Sequence, residues 1–147
     1  FVLALLVAAS LNANPDEKPF QCYKGDYDKP TIAPVNCTGT TCTTHVTKQG
    51  PQPNCNYELP GWKGSDKSCT IMLCSFIELT EKNGHPAENL GKIGDTFCFK
   101  AKNTLVCCCE GNLCNTSEST QPFVDNKQGD KGAFSKESCP NEPIVKE

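Results

Sequence analysis

Short runs of β-branched and apolar residues, each bounded by Gly, Pro or Asn, are the main pattern in this chain. They lie at residues 43–47, 69–77, 96–100 and 104–107. Runs of this length between turn residues predict β-strands. The run 69–77 is the longest, and no stretch has a convincing helical period. The pattern therefore predicts a small all-β protein.

Three long loops leave this framework and return to it, at residues 23–41, 43–68 and 75–106. The tip of the third, residues 80–86, contains an Asn-Gly pair, which is a strong turn signal. Three loops that return to a cysteine-rich base predict an arrangement of three fingers.

The two ends of the chain differ from its middle. Residues 1–13 are apolar and end in small residues, as in a signal peptide cut after Ala9 or Ala13; the alternative is a buried helix. Residues 14–21 form a polar lead-in to a cysteine-rich domain at 22–115. Residues 116–147 are polar, and their few apolar residues show no period. We expect this tail to be mostly disordered.

Twelve cysteines in 147 residues indicate a disulfide scaffold of an oxidising, extracellular compartment. Only 37% of the residues are hydrophobic, so bridges must compensate for a small core. Six bridges can form, but spacing alone does not fix their pairing. The cysteines are Cys22, Cys37, Cys42, Cys55, Cys69, Cys74, Cys98, Cys107, Cys108, Cys109, Cys114 and Cys139.

Three of these cysteines are adjacent, at residues 107–109. On a strand, Cys107 and Cys109 point to one face and Cys108 to the other. They cannot comfortably pair with one another, because a disulfide needs a specific separation of Cα atoms. Each therefore anchors a different part of the chain, and Cys109 has a local partner in Cys114 across a short turn.

The charge pattern narrows the class of partner. The net charge is −3, and all 14 basic residues are lysines. The lack of arginine argues against nucleic acid and anionic membranes as partners. Nothing after residue 13 is long or apolar enough to predict a transmembrane helix or a lipid-anchor signal. We expect a secreted protein without a membrane anchor, whose partner is an extracellular protein.

Metal binding and catalysis find little support. A zinc site can be assembled on paper from two CX4C pairs and two histidines, but cysteines consumed in disulfides are not available as ligands. A cysteine nucleophile would need a free thiol. We expect no metal, no cofactor and no enzymatic activity. The residues weighed for zinc are Cys37, Cys42, Cys69, Cys74, His45 and His85.

Residues 107–115, Cys-Cys-Cys-Glu-Gly-Asn-Leu-Cys-Asn, resemble the ending of activin- and TGF-β-receptor ectodomains, which belong to the Ly6-like three-finger class. The opening, Cys-Tyr-Lys-Gly at 22–25 and Cys-Thr-Gly-Thr-Thr-Cys at 37–42, is similar to secreted ET modules of nematodes. These likenesses imply a three-finger, snake-toxin-like fold over residues 22–115.

The resemblance also implies a disulfide pairing and a structural residue. Asn115 corresponds to an asparagine whose amide bonds the finger backbones. Cys98 could replace Cys74 in its pair. Cys98 and Cys139 otherwise remain for each other, or Cys139 for a bond between chains. The implied bridges are Cys22–Cys42, Cys37–Cys55, Cys69–Cys108, Cys74–Cys107 and Cys109–Cys114.

The family's ligand-binding surface is not carried over with the fold. Type II receptors of this kind use three aromatic residues, and Thr43, Asn56 and Val106 stand at the matching positions. Tyr57 and Trp62 offer a different aromatic contact; the alternative for Trp62 is packing on a disulfide. Of the two glycosylation sequons, at Asn36 and Asn115, the first is the better acceptor, because the second resembles a buried structural residue.

These features lead to one functional expectation and two alternatives. We expect a secreted protein-binding module of the activin-receptor/Ly6 type, acting as a soluble modulator or decoy of a signalling ligand or receptor. The first alternative is a matrix component cross-linked through Cys139. The second is a toxin-like effector on a channel or receptor.

Overall fold

The computed structural model describes residues 18–26, 29–55, 68–134 and 136–141. This part of the chain is mostly β-sheet and carries six disulfides. The elements are β1 (Gln21–Asp26), β2 (Lys29–Asn36), β3 (Cys42–Thr47), β4 (Gly50–Cys55), α1 (Cys69–Lys82), β5 (Glu88–Ile93), β6 (Thr96–Ala101), β7 (Thr104–Cys109) and α2 (Ser117–Val124), followed by 3₁₀ turns at Lys131–Ala133 and Lys136–Ser138.

The strands form two antiparallel sheets. β1 and β2 make a hairpin of their own, and the other strands form one sheet in the order β4-β3-β7-β6-β5. The strands predicted at 43–47, 96–100 and 104–107 correspond to β3, β6 and β7. Thr43 of β3 lies opposite Cys108 of β7, which joins the second hairpin to the third. β1 lies beside β4, although the two strands share no ladder.

The expectation of a strand at 69–77 is wrong, because this segment forms α1. The Ser68 hydroxyl caps the helix by accepting from the Ile71 amide at 3.3 Å. The Glu110 carboxylate accepts from the Cys69 amide at 3.0 Å and so adds a negative charge at the helix N-terminus. The strictly all-β expectation is corrected accordingly.

The main core lies between α1 and one face of the large sheet, here called the α1 face. Met72 and Leu73 of the helix are almost completely buried there. They share a cluster with Phe99, Val106 and Cys108 of the sheet. Alternation along β6 and β7 sends these three side chains to the same side.

The opposite face of the sheet is covered by α2, so we call it the tail face. The Thr116 hydroxyl caps α2 by accepting from the Ser119 amide at 3.2 Å. Phe123 of α2 is 2% exposed and packs in a cluster that contains Val46 and Leu105. A mostly disordered tail is therefore the wrong expectation for the described residues after 115.

After α2, the tail wraps around the outer edge of β5. The Gly129 amide donates to the Leu90 carbonyl at 2.8 Å, and Lys92 and Asp130 exchange two backbone hydrogen bonds of 3.0 Å. Phe134 then reaches the α1 face, where its ring meets Phe99 edge-on with centroids 5.3 Å apart. The tail thus contacts both faces and one edge of the same sheet.

All 12 cysteines are bridged. Four pairs agree with the resemblance, and two do not. The expected Cys74–Cys107 and Cys98–Cys139 bridges are absent. Instead Cys98 bonds Cys107, the alternative raised from the sequence, and Cys74 bonds Cys139. The four agreeing pairs are Cys22–Cys42, Cys37–Cys55, Cys69–Cys108 and Cys109–Cys114.

The helical geometry of α1 explains the two exchanged pairs. Cys69 and Cys74 are five residues apart, which on a helix turns them about 140° from each other. Cys69 reaches Cys108 on the α1 face, whereas Cys107 points to the tail face and lies opposite Cys98 in the ladder. Cys74 therefore meets the returning tail instead. Cys139 is consumed by this bridge.

Candidate binding surface

The base of the molecule is organised by one buried amide, that of Asn115. Its Nδ2 atom lies 2.9 Å from the Tyr23 carbonyl, 3.0 Å from that of Thr43 and 3.1 Å from that of Asn54. Its Oδ1 accepts from the Tyr23 amide at 2.9 Å. The two N–H groups of one amide thus serve three carbonyls, on β1, β3 and β4. Asn115 holds the first two hairpins together.

The turn before Asn115 is fixed to β1 as well. The Gln21 amide donates to Asn112 Oδ1 at 2.8 Å, and the Leu113 amide donates to the Gln21 carbonyl at 2.7 Å. The Cys109–Cys114 bridge closes this turn. The first two hairpins are consequently anchored at this end, whereas the turn of the second, Lys48-Gln49, is exposed at the other.

The positions compared with the receptor hot spot do not form an open surface. Thr43 and Val106 are 4% and 8% exposed on the α1 face, and Val106 belongs to the cluster that α1 and Phe134 complete. The Thr43 hydroxyl donates to the Cys55 carbonyl at 2.7 Å. The third such position, Asn56, and the aromatic candidates Tyr57 and Trp62 lie outside the described residues.

A groove opens on the tail face, between α2 and the ends of two hairpins. Its volume is about 290 Å³. We call it the tail groove. Val46, Leu105 and Phe123 form its apolar floor, and Val124 lies 44% exposed in its wall. Its full lining is Val46, Thr47, Lys48, Lys100, Asn103, Leu105, Phe123, Val124 and Asn126.

Four lysines lie at this end of the sheet. Lys48 and Lys100 line the tail groove, Lys127 lines an adjoining cavity of about 150 Å³ together with Lys100, and Lys102 precedes the groove residue Asn103. Within the described part of the chain, none of these ammonium groups has an ion pair or hydrogen bond.

Two carboxylates lie near these lysines. Glu88 lines the adjoining cavity and stands opposite Lys100 in the β5–β6 ladder. Asp125 follows α2, and its carboxylate accepts from the Gln121 side-chain amide at 3.0 Å. The lysines outnumber these acids, so the local charge is positive.

A second exposed apolar site lies on the separate hairpin. Ile32 of β2 is 49% exposed, and Thr31, Ala33 and Pro34 beside it are exposed as well. Ile32 and Val124 are the large hydrophobic side chains that the described residues expose. They mark two separate surfaces, one on β2 and one in the tail groove.

The residues weighed for metal binding are dispersed or already bonded. The sulfurs of Cys22, Cys37 and Cys55 lie within 4.8 Å of one another, but each is in a disulfide and offers no thiolate. His45 lies in the middle of β3, where burial lowers the pKa of its imidazole. His85 is exposed after α1.

The two glycosylation sequons differ sharply in accessibility. Asn36 is exposed at the end of β2, and its Oδ1 accepts from Gln21 Nε2 at 2.9 Å. Asn115 is 2% exposed, and its amide is fully engaged. Only the Asn36 side chain is presented to a modifying enzyme.

Sequence reasoning missed the tail groove altogether. Two signals pointed toward it: a residue type suited to a helix N-cap, Thr116, and the adjacent pair Phe123-Val124 in a polar segment. Neither signal tells which sheet face α2 covers. Lysines at hairpin turns are common and would not have been noticed on their own.

No family model matches the chain, and neither a curated protein nor a solved structure shows significant similarity to it. None of the described helices is long and apolar enough to cross a membrane. The structure by itself defines a class: a small, mostly β, cysteine-rich protein stapled by six disulfides. Such bridge density is typical of oxidising compartments.

Proposed function

We propose that this chain is a secreted three-finger-type module that binds extracellular proteins. The observation that carries the proposal is the base of the molecule, where the Asn115 amide contacts carbonyls of three strands beside the Cys109–Cys114 bridge. A rigid base with free hairpin ends suits binding, because exposed loops on a fixed scaffold carry recognition in many such folds.

The resemblance to activin-type receptors supports the scaffold more than the ligand. Both hot-spot positions that the structure describes, Thr43 and Val106, are buried, and Val106 lies in the cluster with α1 and Phe134, so we do not extend the proposal to TGF-β-type ligands. The open surfaces are the tail groove and the exposed stretch of β2 around Ile32. We propose a soluble modulator or decoy that uses one of them.

A toxin-like effector on a channel or receptor is the second candidate. The observation in its favour is the pair of lysines, Lys48 and Lys102, at the turns of two neighbouring hairpins. The matrix alternative loses its support, because it required a free thiol at Cys139 and that sulfur is bonded to Cys74.

The experiment is a binding screen with oxidised, secreted protein. Monomer purified from a secretory host is tested by biolayer interferometry against purified soluble ligands, receptor ectodomains and channels in vesicles. We expect saturable binding to one of these classes that is lost after reduction and alkylation. Binding that survives alkylation in the reduced state, or no saturable binding across the panel, contradicts the proposal. Binding to a soluble ligand favours the modulator, and binding to a channel favours the effector.

A further inference from the structure

We propose that the tail groove binds an acidic peptide segment of the partner protein, with one branched aliphatic side chain in the groove and carboxylates on the surrounding lysines. This inference rests on the proposed protein-binding function and adds the surface and the chemistry of the bound segment. It is carried by an open apolar floor and by lysines at its rim that have no partners among the described residues.

The groove is large enough to admit a branched aliphatic side chain of a peptide. Sites for drug-sized molecules range from about 300 to 1,000 Å³, and the tail groove, at about 290 Å³, lies just below them. Its floor of Val46, Leu105 and Phe123 is aliphatic and aromatic. Val124 in the wall leaves 44% of its surface exposed, so a bound leucine or isoleucine would remove further apolar area from water.

The charges select an acidic segment. Lys48 and Lys100 line the groove, Lys127 lines the adjoining cavity, and Lys102 stands next to the groove residue Asn103 in the chain. Their ammonium groups lack ion pairs among the described residues, so carboxylates of a ligand would not have to displace existing ones. Glu88 opposes part of this charge from the adjoining cavity, which favours carboxylates near Lys48 and Lys102.

The backbone conformation of Lys102 also supports a ligand for these lysines. Lys102 has a φ of +54°, a left-handed conformation that glycine or asparagine would adopt at lower cost. The lysine in this turn places an ammonium group at the hairpin end despite the strain. The strain is understandable if the charge has a binding partner.

A peptide fits these features better than a membrane or a sulfated polysaccharide. A membrane-binding surface would present several apolar or aromatic side chains, whereas Val124 is the large apolar side chain exposed in this groove. A polysaccharide would need the lysines but would leave the apolar floor unused. The lysines and the floor together suit a segment with both kinds of side chain.

The test uses a short fluorescein-labelled peptide with a central leucine flanked on both sides by glutamates. Binding to the full oxidised protein is measured by fluorescence polarisation at about 50 and 300 mM NaCl. Two altered peptides replace the leucine by serine or all glutamates by glutamine. Phosphatidylserine vesicles and a heparin oligosaccharide are assayed in parallel.

Two variants remove the proposed contacts, and each has a matched control. Lys48→Gln with Lys100→Gln is compared with Lys18→Gln with Lys24→Gln, which removes two exposed charges elsewhere. Val124→Ser is compared with Ile32→Ser, which alters a similarly exposed aliphatic residue elsewhere. Circular dichroism and thiol titration verify that every variant is folded and fully bridged.

We expect weak peptide binding, with a Kd on the order of 100 μM, because a single anchored side chain supplies little contact area. The lysine pair and Val124→Ser should each weaken it about fivefold, and both altered peptides should bind less. The control variants should bind like the natural protein, and binding should fall at the higher salt concentration.

Three results would overturn the inference. The first is no binding up to about 1 mM peptide, and the second is peptide binding that the control variants weaken as much as the groove variants do. The third is failure of the peptide together with heparin or vesicle binding that depends on the lysines but not on Val124. If a partner from the screen binds the groove variants at full strength, the groove assignment fails while the proposed function stands.

Discussion

Replacing Asn115 by aspartate tests the role of the buried amide with almost no change in shape. Aspartate keeps one oxygen that can accept from the Tyr23 amide. The other oxygen replaces Nδ2, which lies within 3.1 Å of three backbone carbonyls. The change removes both N–H donors and places a carboxylate against carbonyl oxygens in a site that is 2% exposed.

The loss can be worked out from these contacts. Two hydrogen bonds at about 0.5–1.5 kcal/mol each account for about 1–3 kcal/mol. The buried carboxylate must take up a proton or remain charged beside oxygen atoms, which adds a penalty of similar size. We expect the variant to be about 4 kcal/mol less stable at neutral pH, a large part of the stability typical of a small domain.

The pH dependence has a definite sign. Burial and the nearby carbonyl oxygens should raise the pKa of the introduced carboxyl in the folded Asn115→Asp variant above its unfolded value of about 3.9. The deficit relative to the natural protein is therefore largest above the folded pKa. It shrinks as the pH falls toward the unfolded value, because the protonated carboxyl can again donate one hydrogen bond.

Urea unfolding followed by circular dichroism, with the disulfides intact, measures the effect at pH 7.5 and 4.5. Asn112→Asp is the control, because Asn112 Oδ1 only accepts, from the Gln21 amide, and aspartate can do the same. We expect the control to cost less than about 0.5 kcal/mol. If the two variants are equally stable at neutral pH, the amide does not hold the hairpins together as argued.

Three further changes probe the tail and the sheet. Gly129→Ala would make a Cβ collide with the Lys92 carbonyl of β5, so we expect a loss of about 2–3 kcal/mol by urea unfolding and faster amide exchange in β5. Gly132→Ala, whose Cβ meets only a side-chain oxygen at 3.2 Å, should be mild, and equal effects of the two changes would show that the tail does not pack there. Replacing Cys74 and Cys139 together by serine should lower the free energy of unfolding by about 2–4 kcal/mol. Hydrogen exchange should rise more after residue 130 than in the hairpins, which keep their own bridges, and uniform loosening of the sheet would contradict this. Burial lowers the pKa of His45, so folding favours its neutral form. The contribution of His45 to stability should be full above the unfolded pKa of 6.5 and should decline as the pH falls through the folded pKa. In unfolding measurements between pH 7.5 and 5, His45→Gln should abolish this decline.

The Cys109–Cys114 turn was predictable, because the sequence signals for it are local. Strand alternation assigns Cys109 and Cys108 to different faces, and Cys114 follows after one short turn. The helix α1 was missed although its apolar residues recur at spacings of three and four. Ile71 and Cys74 flank the buried pair Met72-Leu73, so the segment resembled a continuous buried strand. The resemblance implied a Cys74–Cys107 pair, but the helix turns Cys74 toward the returning tail, where it bonds Cys139.

The tail was missed for a different reason. Its composition is that of a disordered segment, and it has no core of its own. Two phenylalanines, Phe123 and Phe134, nevertheless occupy buried sites on opposite faces of the sheet. Gly129, which lies between them in the chain, allows the tail backbone to lie close to β5. A polar segment can thus be ordered by a few anchors on an existing core. The tail groove combines three strands with α2, and no local pattern reveals such a combination.

The wrapping of the tail around β5 also bears on how this protein behaves at high concentration. An uncovered outermost strand offers its unpaired N–H and C=O groups to other chains and can start edge-to-edge aggregation. Here the Leu90 carbonyl and both backbone groups of Lys92 are occupied by residues 129 and 130. The Cys74–Cys139 bridge secures the segment that follows. The chain thereby blocks one edge of its own sheet, and reduction of that single bridge would make association between sheets easier long before the hairpins come apart.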